Sequence, residues 1–148
     1  MRKTLAKSLT ETDYLLHADM WKFPTRARTI NVGLGESNLL NVAAGLASQG
    51  EFVVVYGVSG FVIHRYEQLK FSCRNFGAQA GTIVICNAGA VGYEKFGEGH
   101  KLDDDLAIMS TLGIIAMQPQ NATEFAMDLQ YCKSARSGIY YIRLGRDE

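Results

Sequence analysis

Two uninterrupted apolar runs, Phe52-Val53-Val54-Val55-Tyr56 and Thr82-Ile83-Val84-Ile85-Cys86, constrain this chain more than any other feature. A strand with one face in water alternates apolar and polar residues. A strand without alternation is covered on both faces, as in the centre of a parallel sheet. Parallel neighbours need a crossover of a dozen residues or more between them, normally a helix. The sequence supplies such segments. From Glu36 to Ser48, Leu39, Leu40, Val42, Ala43, Ala44, Leu46 and Ala47 fall at helical spacing, with Gly50 just beyond. Phe61–Phe76 reads as a second helix ending at Gly77. Asp103 or Asp104 can cap a third that runs through Met109 and stops at Gly113. Asn121-Ala122-Thr123-Glu124 has capping-box spacing for a fourth, reaching about Ala135, with Gly138 as its terminator. Arg28–Val32, Ile114–Met117 and Ile139–Leu144 are the short strand candidates between them, and residues 2–19 read as a helix followed by a strand at Tyr14–His17. The alternation predicts an α/β fold with right-handed βαβ units, a doubly wound, mainly parallel sheet with helices on both faces.

Composition narrows the function classes. The chain has 148 residues, which predicts a single domain over 1–148 with a core of its own. Fifteen Lys and Arg balance fifteen Asp and Glu, so no net basic field exists to hold nucleic acid or an anionic membrane. No apolar run approaches the roughly 20 residues that span a bilayer, and no apolar stretch follows the charged N-terminus as in a signal peptide. Cys73, Cys86 and Cys132 stand in no metal or redox spacing, which predicts a reduced, cytoplasmic protein.

In a doubly wound sheet, ligands bind outside the carboxyl ends of the strands. Three segments with unusual residues fall there: Gly33-Leu34-Gly35-Glu36-Ser37-Asn38, Tyr56-Gly57-Val58-Ser59-Gly60-Phe61, and a glycine-rich stretch from Gly89 to His100. The first resembles a dinucleotide loop and fails as one. Asn38 replaces the third glycine, and Glu36 puts a carboxylate where pyrophosphate needs the positive helix end. An acid in the first turn of a helix usually serves the dipole. At the edge of a buried strand, Glu36 is also expected to be partly desolvated, which raises a carboxyl pKa and suits it to share a proton with a basic nitrogen. His100 closes the glycine-rich stretch, where backbone can approach a ligand closely. His17 and His64 lie near no nucleophile or metal set.

Taken in order, these segments resemble the pyrimidine-binding domain of the transketolase family of thiamine-diphosphate enzymes, over residues 17–146. The family pattern "ADL" is met by Ala18-Asp19-Met20. Its "R-x-I-x-x-G-I-x-E-x-N/H" and "A-A-G-L-A-x-x-G" are met by Arg28-Thr29-Ile30-Asn31-Val32-Gly33-Leu34-Gly35-Glu36-Ser37-Asn38 and by Ala43-Ala44-Gly45-Leu46-Ala47 with Gly50. Ser59-Gly60-Phe61 is similar to "Y-x-x-F", Arg65-Tyr66-Glu67-Gln68 to "R-A-Y-D-Q", and His100 to the histidine of "G-x-T-H". Met117–Glu124 resembles "x-x-P-x-D-x-x-E", and Arg143-Leu144-Gly145-Arg146 the closing "R-x-x-R".

The resemblance implies a role for each matched residue. Glu36 would hydrogen-bond N1′ of the cofactor's aminopyrimidine and favour the imino tautomer that deprotonates thiazolium C2. Phe61 would stack on the pyrimidine, with Asp19 and Met20 beside the cofactor. His100, His64 and Arg146 would face a small carbonyl or sugar-type substrate, with Arg146 suited to a phosphate. Two departures bear on function. Phe96 in Phe96-Gly97-Glu98-Gly99-His100 stands where transketolases have the acid near the donor hydroxyl, which argues against a sugar-phosphate donor. The chain also lacks the G-D-G…N motif for diphosphate and magnesium. The resemblance therefore implies one subunit of a split enzyme transferring a two-carbon ketol or acyl unit, in an α2β2 assembly. The partner subunit would bind Mg2+ and the diphosphate of the shared thiamine diphosphate, and the diphosphate-binding and C-terminal domains are expected to be absent from this chain. The alternatives are a β-type subunit of a 2-oxoacid dehydrogenase or decarboxylase, and a non-catalytic assembly domain.

Overall fold

The computed structural model describes residues 2–18, 22–88, 96–97, 100 and 104–144. Six strands form one sheet in the order β2-β1-β3-β4-β6-β5: β1 (Tyr14–His17), β2 (Arg28–Asn31), β3 (Phe52–Val58), β4 (Thr82–Ala88), β5 (Ile115–Met117) and β6 (Gly138–Arg143). Every pairing is parallel, so the expected mainly parallel sheet is parallel throughout. The two apolar runs are the central pair, in register from Phe52 opposite Thr82 to Val58 opposite Ala88.

Strand pleating splits the core in two. Val53, Val55, Ile83 and Ile85 pack on one face with helix α2 (Glu36–Ala47), a π-helical segment (Gln68–Arg74) and helix α4 (Asp105–Thr111). Val54, Tyr56, Val84 and Cys86 pack on the other with α1 (Arg2–Ser8) and α5 (Ala122–Ser134). This is the two-sided cover that runs without alternation require. No helix among the described residues is long and apolar enough to cross a membrane.

Three local expectations are corrected. The single helix over Phe61–Phe76 is instead a short α3 (Ser59–Ile63), a break at His64 and Arg65, and the π-helical segment. In that segment Asn75 N–H reaches back five residues to the Lys70 carbonyl at 3.1 Å. The wider winding lays Leu69 and Cys73, four apart, together in the core, with Cys73 Sγ 3.5 Å from the Leu40 carbonyl of α2. The fourth helix ends at Ser134 with Ala135 as its C-cap, as expected, but Gly138 is not its terminator. The left-handed turn falls on Arg136 (φ 62°), and Gly138 (φ 127°) is the first residue of β6. Asp104 occupies the N-cap of α4 but makes no capping bond with its side chain. The Asn121 cap forms as expected: its side-chain oxygen accepts from Thr123 N and Glu124 N at 3.0 and 2.9 Å.

Candidate active site at the carboxyl edge of the sheet

The loop from β2 to α2 is shaped by its own backbone. Asn31 Oδ1 accepts from Gly33 N–H at 2.9 Å, Gly33 takes φ 71°, and its carbonyl accepts from Gly35 N–H at 2.8 Å. The helix then begins, and Glu36 is its first residue, half-buried. Gly35 at the N-cap has no side chain to offer the first turn, so the Glu36 carboxylate is the acidic group at this positive helix end.

Gly57, near the end of β3, joins this corner to the next. A Cβ there would lie 2.8 Å from Val62 Cγ2 of α3 and 3.9 Å from Leu39 Cδ2 of α2. The missing side chain lets the two helices close over the strand end. Leu39 is one turn beyond Glu36 and Val62 adjoins Phe61, so the first turn of α2 and the Phe61 helix share one corner of the edge.

Phe61 is half-buried, and its ring meets the His100 ring edge-on, with centroids 4.9 Å apart at 74°. Phe96 flanks the same imidazole at 5.6 Å. A tight turn sets this geometry: His100 N–H donates to the Gly97 carbonyl at 3.0 Å, and Gly97 takes φ 101°, which an L side chain rarely adopts. Phe61 and His100, far apart in the chain, are thus a ring pair.

The other expected site residues fare differently. His64 lies at the C-terminus of α3 and is exposed. Asp19, Met20 and Arg146 lie outside the described residues. His17, set aside on sequence, is buried at the end of β1 with its ring 5.2 Å from Phe23, which in turn meets Tyr56 edge-on at 5.0 Å. Sequence reasoning missed a buried polar cluster. Asp105, the first residue of α4, is fully buried; its Oδ2 accepts from Tyr141 Oη at 2.5 Å and lies 3.1 Å from Arg143 Nε. The signal was Tyr141 and Arg143, polar groups in a strand covered on both faces, which call for a buried acceptor.

A half-buried carboxylate, and an aromatic ring with a histidine against it at the same corner of the edge, are groups that can hold a planar, basic heterocycle and move a proton at one of its nitrogens. No family model matches the chain. It is 33% identical over 111 residues to 1-deoxy-D-xylulose-5-phosphate synthase of Lachnoclostridium phytofermentans, covering 74% of this chain and 17% of that protein. It is 32% identical over 130 residues to a subunit of the apulose-4-phosphate transketolase of Actinobacillus succinogenes, covering 86% and 40%. It is 29% identical over 119 residues to a 33.6 kDa protein of the fasciation locus of Rhodococcoides fascians, covering 79% and 37%. A solved split-gene transketolase, an inactive β4 tetramer, superposes with a TM-score of 0.78 at 26% identity, covering 99% of this chain and 50% of that one. The chain thus spans half or less of the length of each of these four proteins.

Proposed function

Because this chain belongs to the transketolase family in sequence and in fold, we propose that it is the pyrimidine-binding subunit of a split, thiamine-diphosphate-dependent transketolase-like enzyme. The observation that carries this reading is Glu36 at the first position of α2, half-buried at the carboxyl edge, in the same corner as Phe61. The donor set fits an aminopyrimidine. Phe61 offers a ring face to stack on it, and Glu36 offers a carboxylate to a ring nitrogen.

Thiamine diphosphate, when bound, supplies stabilisation of a carbanion at its thiazolium ring. The chain's own residues orient and charge the other ring. Glu36 holds a proton at N1′, where a partly desolvated carboxylate interacts more strongly than in water. His100, fixed between Phe61 and Phe96, can donate to or accept from a substrate oxygen. Arg146 and His64 are proposed as outer substrate contacts, and Asp19 and Met20 as the cofactor's support. The transferred group is a two-carbon unit passed to an acceptor carbonyl.

A second subunit would complete the site with the diphosphate pocket and Mg2+. Leu34, 84% exposed in the loop before Glu36, and Phe96, 58% exposed beside His100, give that subunit apolar surface to cover. The names of two relatives, one a transketolase subunit and the other a β4 tetramer, support assembly of this kind, and an α2β2 complex in the cytoplasm is the form proposed.

Calorimetric titration of thiamine diphosphate with magnesium tests the arrangement. The chain alone should bind weakly or not at all, and a mixture with a diphosphate-binding transketolase subunit should bind tightly. Tight binding by the lone chain would contradict the split site.

A further inference from the structure

We infer that Asp105 is a positioning residue for His100: by tying the start of α4 to β6 it fixes the helix that packs on α3, which carries the Phe61 ring that His100 meets. An acid at the first position of a helix normally points to water, where the dipole alone favours it. Asp105 turns inward and is fully buried. Removing a carboxylate from water is expensive unless it is paired and hydrogen-bonded. Here one oxygen, Oδ2, takes both the Tyr141 hydroxyl at 2.5 Å and the Arg143 Nε contact at 3.1 Å. Oδ1 is buried and has no hydrogen-bond partner among the described residues. Packing alone does not account for such a group, since an apolar residue would fill the space without the desolvation cost.

What the cluster does is fix a helix end. Both partners sit on β6, which pairs with β4 along its length, so Asp105 is held to a strand paired on both sides. Helix α4 also packs against α3, which carries Phe61. His100 lies five residues ahead of Asp105 in the chain and is the residue whose ring meets Phe61 at 4.9 Å. The Phe61 end of that ring pair rides on α3, which packs on β3 and on α4, and Asp105 anchors α4 to β6. That His100 serves chemistry rests on the function proposed above; that Asp105 places it does not.

The test is heteronuclear NMR on the full chain without cofactor or partner. The chain has three histidines, so the His100 imidazole signals are assigned by their loss in His100→Gln. Phe61→Leu defines the His100 shifts when the ring pair is gone. Asp105→Asn should move the His100 signals most of the way to those positions, and Tyr141→Phe should move them part of the way in the same direction. Leu129→Ala, which opens the other face of the sheet, should lower stability and leave His100 at its wild-type shifts. If Asp105→Asn does not fold, Tyr141→Phe decides. His100 signals that stay in place in the folded variants, or that move equally in Leu129→Ala, would overturn the proposal. Neither result depends on cofactor binding, so failure here leaves the proposed activity standing, and failure of the calorimetric test leaves this one intact.

Discussion

The two edges of the sheet are built on different principles. At the amino edge, backbone meets backbone. Thr82 N–H donates to the Glu51 carbonyl and Gly138 N–H to the Gly81 carbonyl, each at 3.1 Å, and a Cβ on Gly81 would collide with the Ala47 and Glu51 carbonyl oxygens. Asp13, 1% exposed, is held there by Lys133 Nζ at 2.7 Å and by the backbone and hydroxyl of Thr10. At the carboxyl edge, side chains with chemistry are left half-covered: Glu36, Phe61 and His100, with Leu34 and Phe96 outermost. One edge is closed by backbone packing and the other leaves side chains half-covered, the arrangement expected where loops at the carboxyl ends carry function on a rigid scaffold. Substitutions at the two edges should therefore have opposite signatures.

The largest effect belongs to the open edge. Glu36→Gln keeps size and a hydrogen bond and removes the acid, so turnover with the partner subunit should fall by about 10²–10⁴-fold. Stability should change by only about 0.3–1 kcal/mol, from the lost dipole interaction. Steady-state kinetics and denaturant melts on the same preparation check both halves. A variant that loses stability and activity together would blur the division between the edges.

At the closed edge the pattern should invert. Gly81→Ala places a methyl against carbonyl oxygens that cannot swing aside, and should cost about 1–3 kcal/mol, toward the upper end. Activity per folded molecule should stay close to wild type. Lys133→Met leaves Asp13 buried without its cation while the Thr10 donors remain, for a loss of about 1 kcal/mol. Urea titration separates the two costs, and a Gly81→Ala chain as stable as wild type would show that this edge is looser than its contacts imply.

The smallest effect comes from the core between the edges. Burial pushes the Cys73 and Cys132 thiols up to about 12 and Cys86 well above its usual value. Unfolded thiols ionise near about 8.5, so the unfolded chain releases protons that the folded chain keeps. Stability should be complete below that pH and fall as pH rises through it, by about 0.4 kcal/mol for each thiol between pH 7 and 8.5. Cys73→Ala should show a shallower slope in melts across that range. An unchanged slope would mean that Cys73 ionises as freely when folded as when unfolded.

The sequence was most legible where one interaction dominates. Phe52–Tyr56 and Thr82–Cys86 admit little but double burial, and the Asn121 cap is a local hydrogen-bond pattern that needs nothing else. The place of Glu36 at the start of α2 was legible because a glycine-flanked acid opening an apolar helix is a local anomaly. The break at His64 and the π-helical winding were not, because they answer to packing of Leu69 and Cys73 against α2, a tertiary demand that overrides helical spacing. Asp105 was hidden for the same reason. Three consecutive aspartates look alike in sequence, and only the position of Tyr141 and Arg143 on β6 selects the one that turns inward. The Phe61–His100 pair joins two segments whose spacing in sequence says nothing of their meeting.

The claim that Glu36 charges the cofactor's pyrimidine ring is tested most directly by hydrogen–deuterium exchange at C2 of bound thiamine diphosphate. The measurement compares wild-type and Glu36→Gln chains, each in complex with the diphosphate-binding subunit. Exchange should slow by about 10²–10⁴-fold in the variant, in step with turnover. Unchanged exchange in a well-folded, cofactor-loaded Glu36→Gln complex would contradict the account and leave Glu36 as no more than an acid at a helix end.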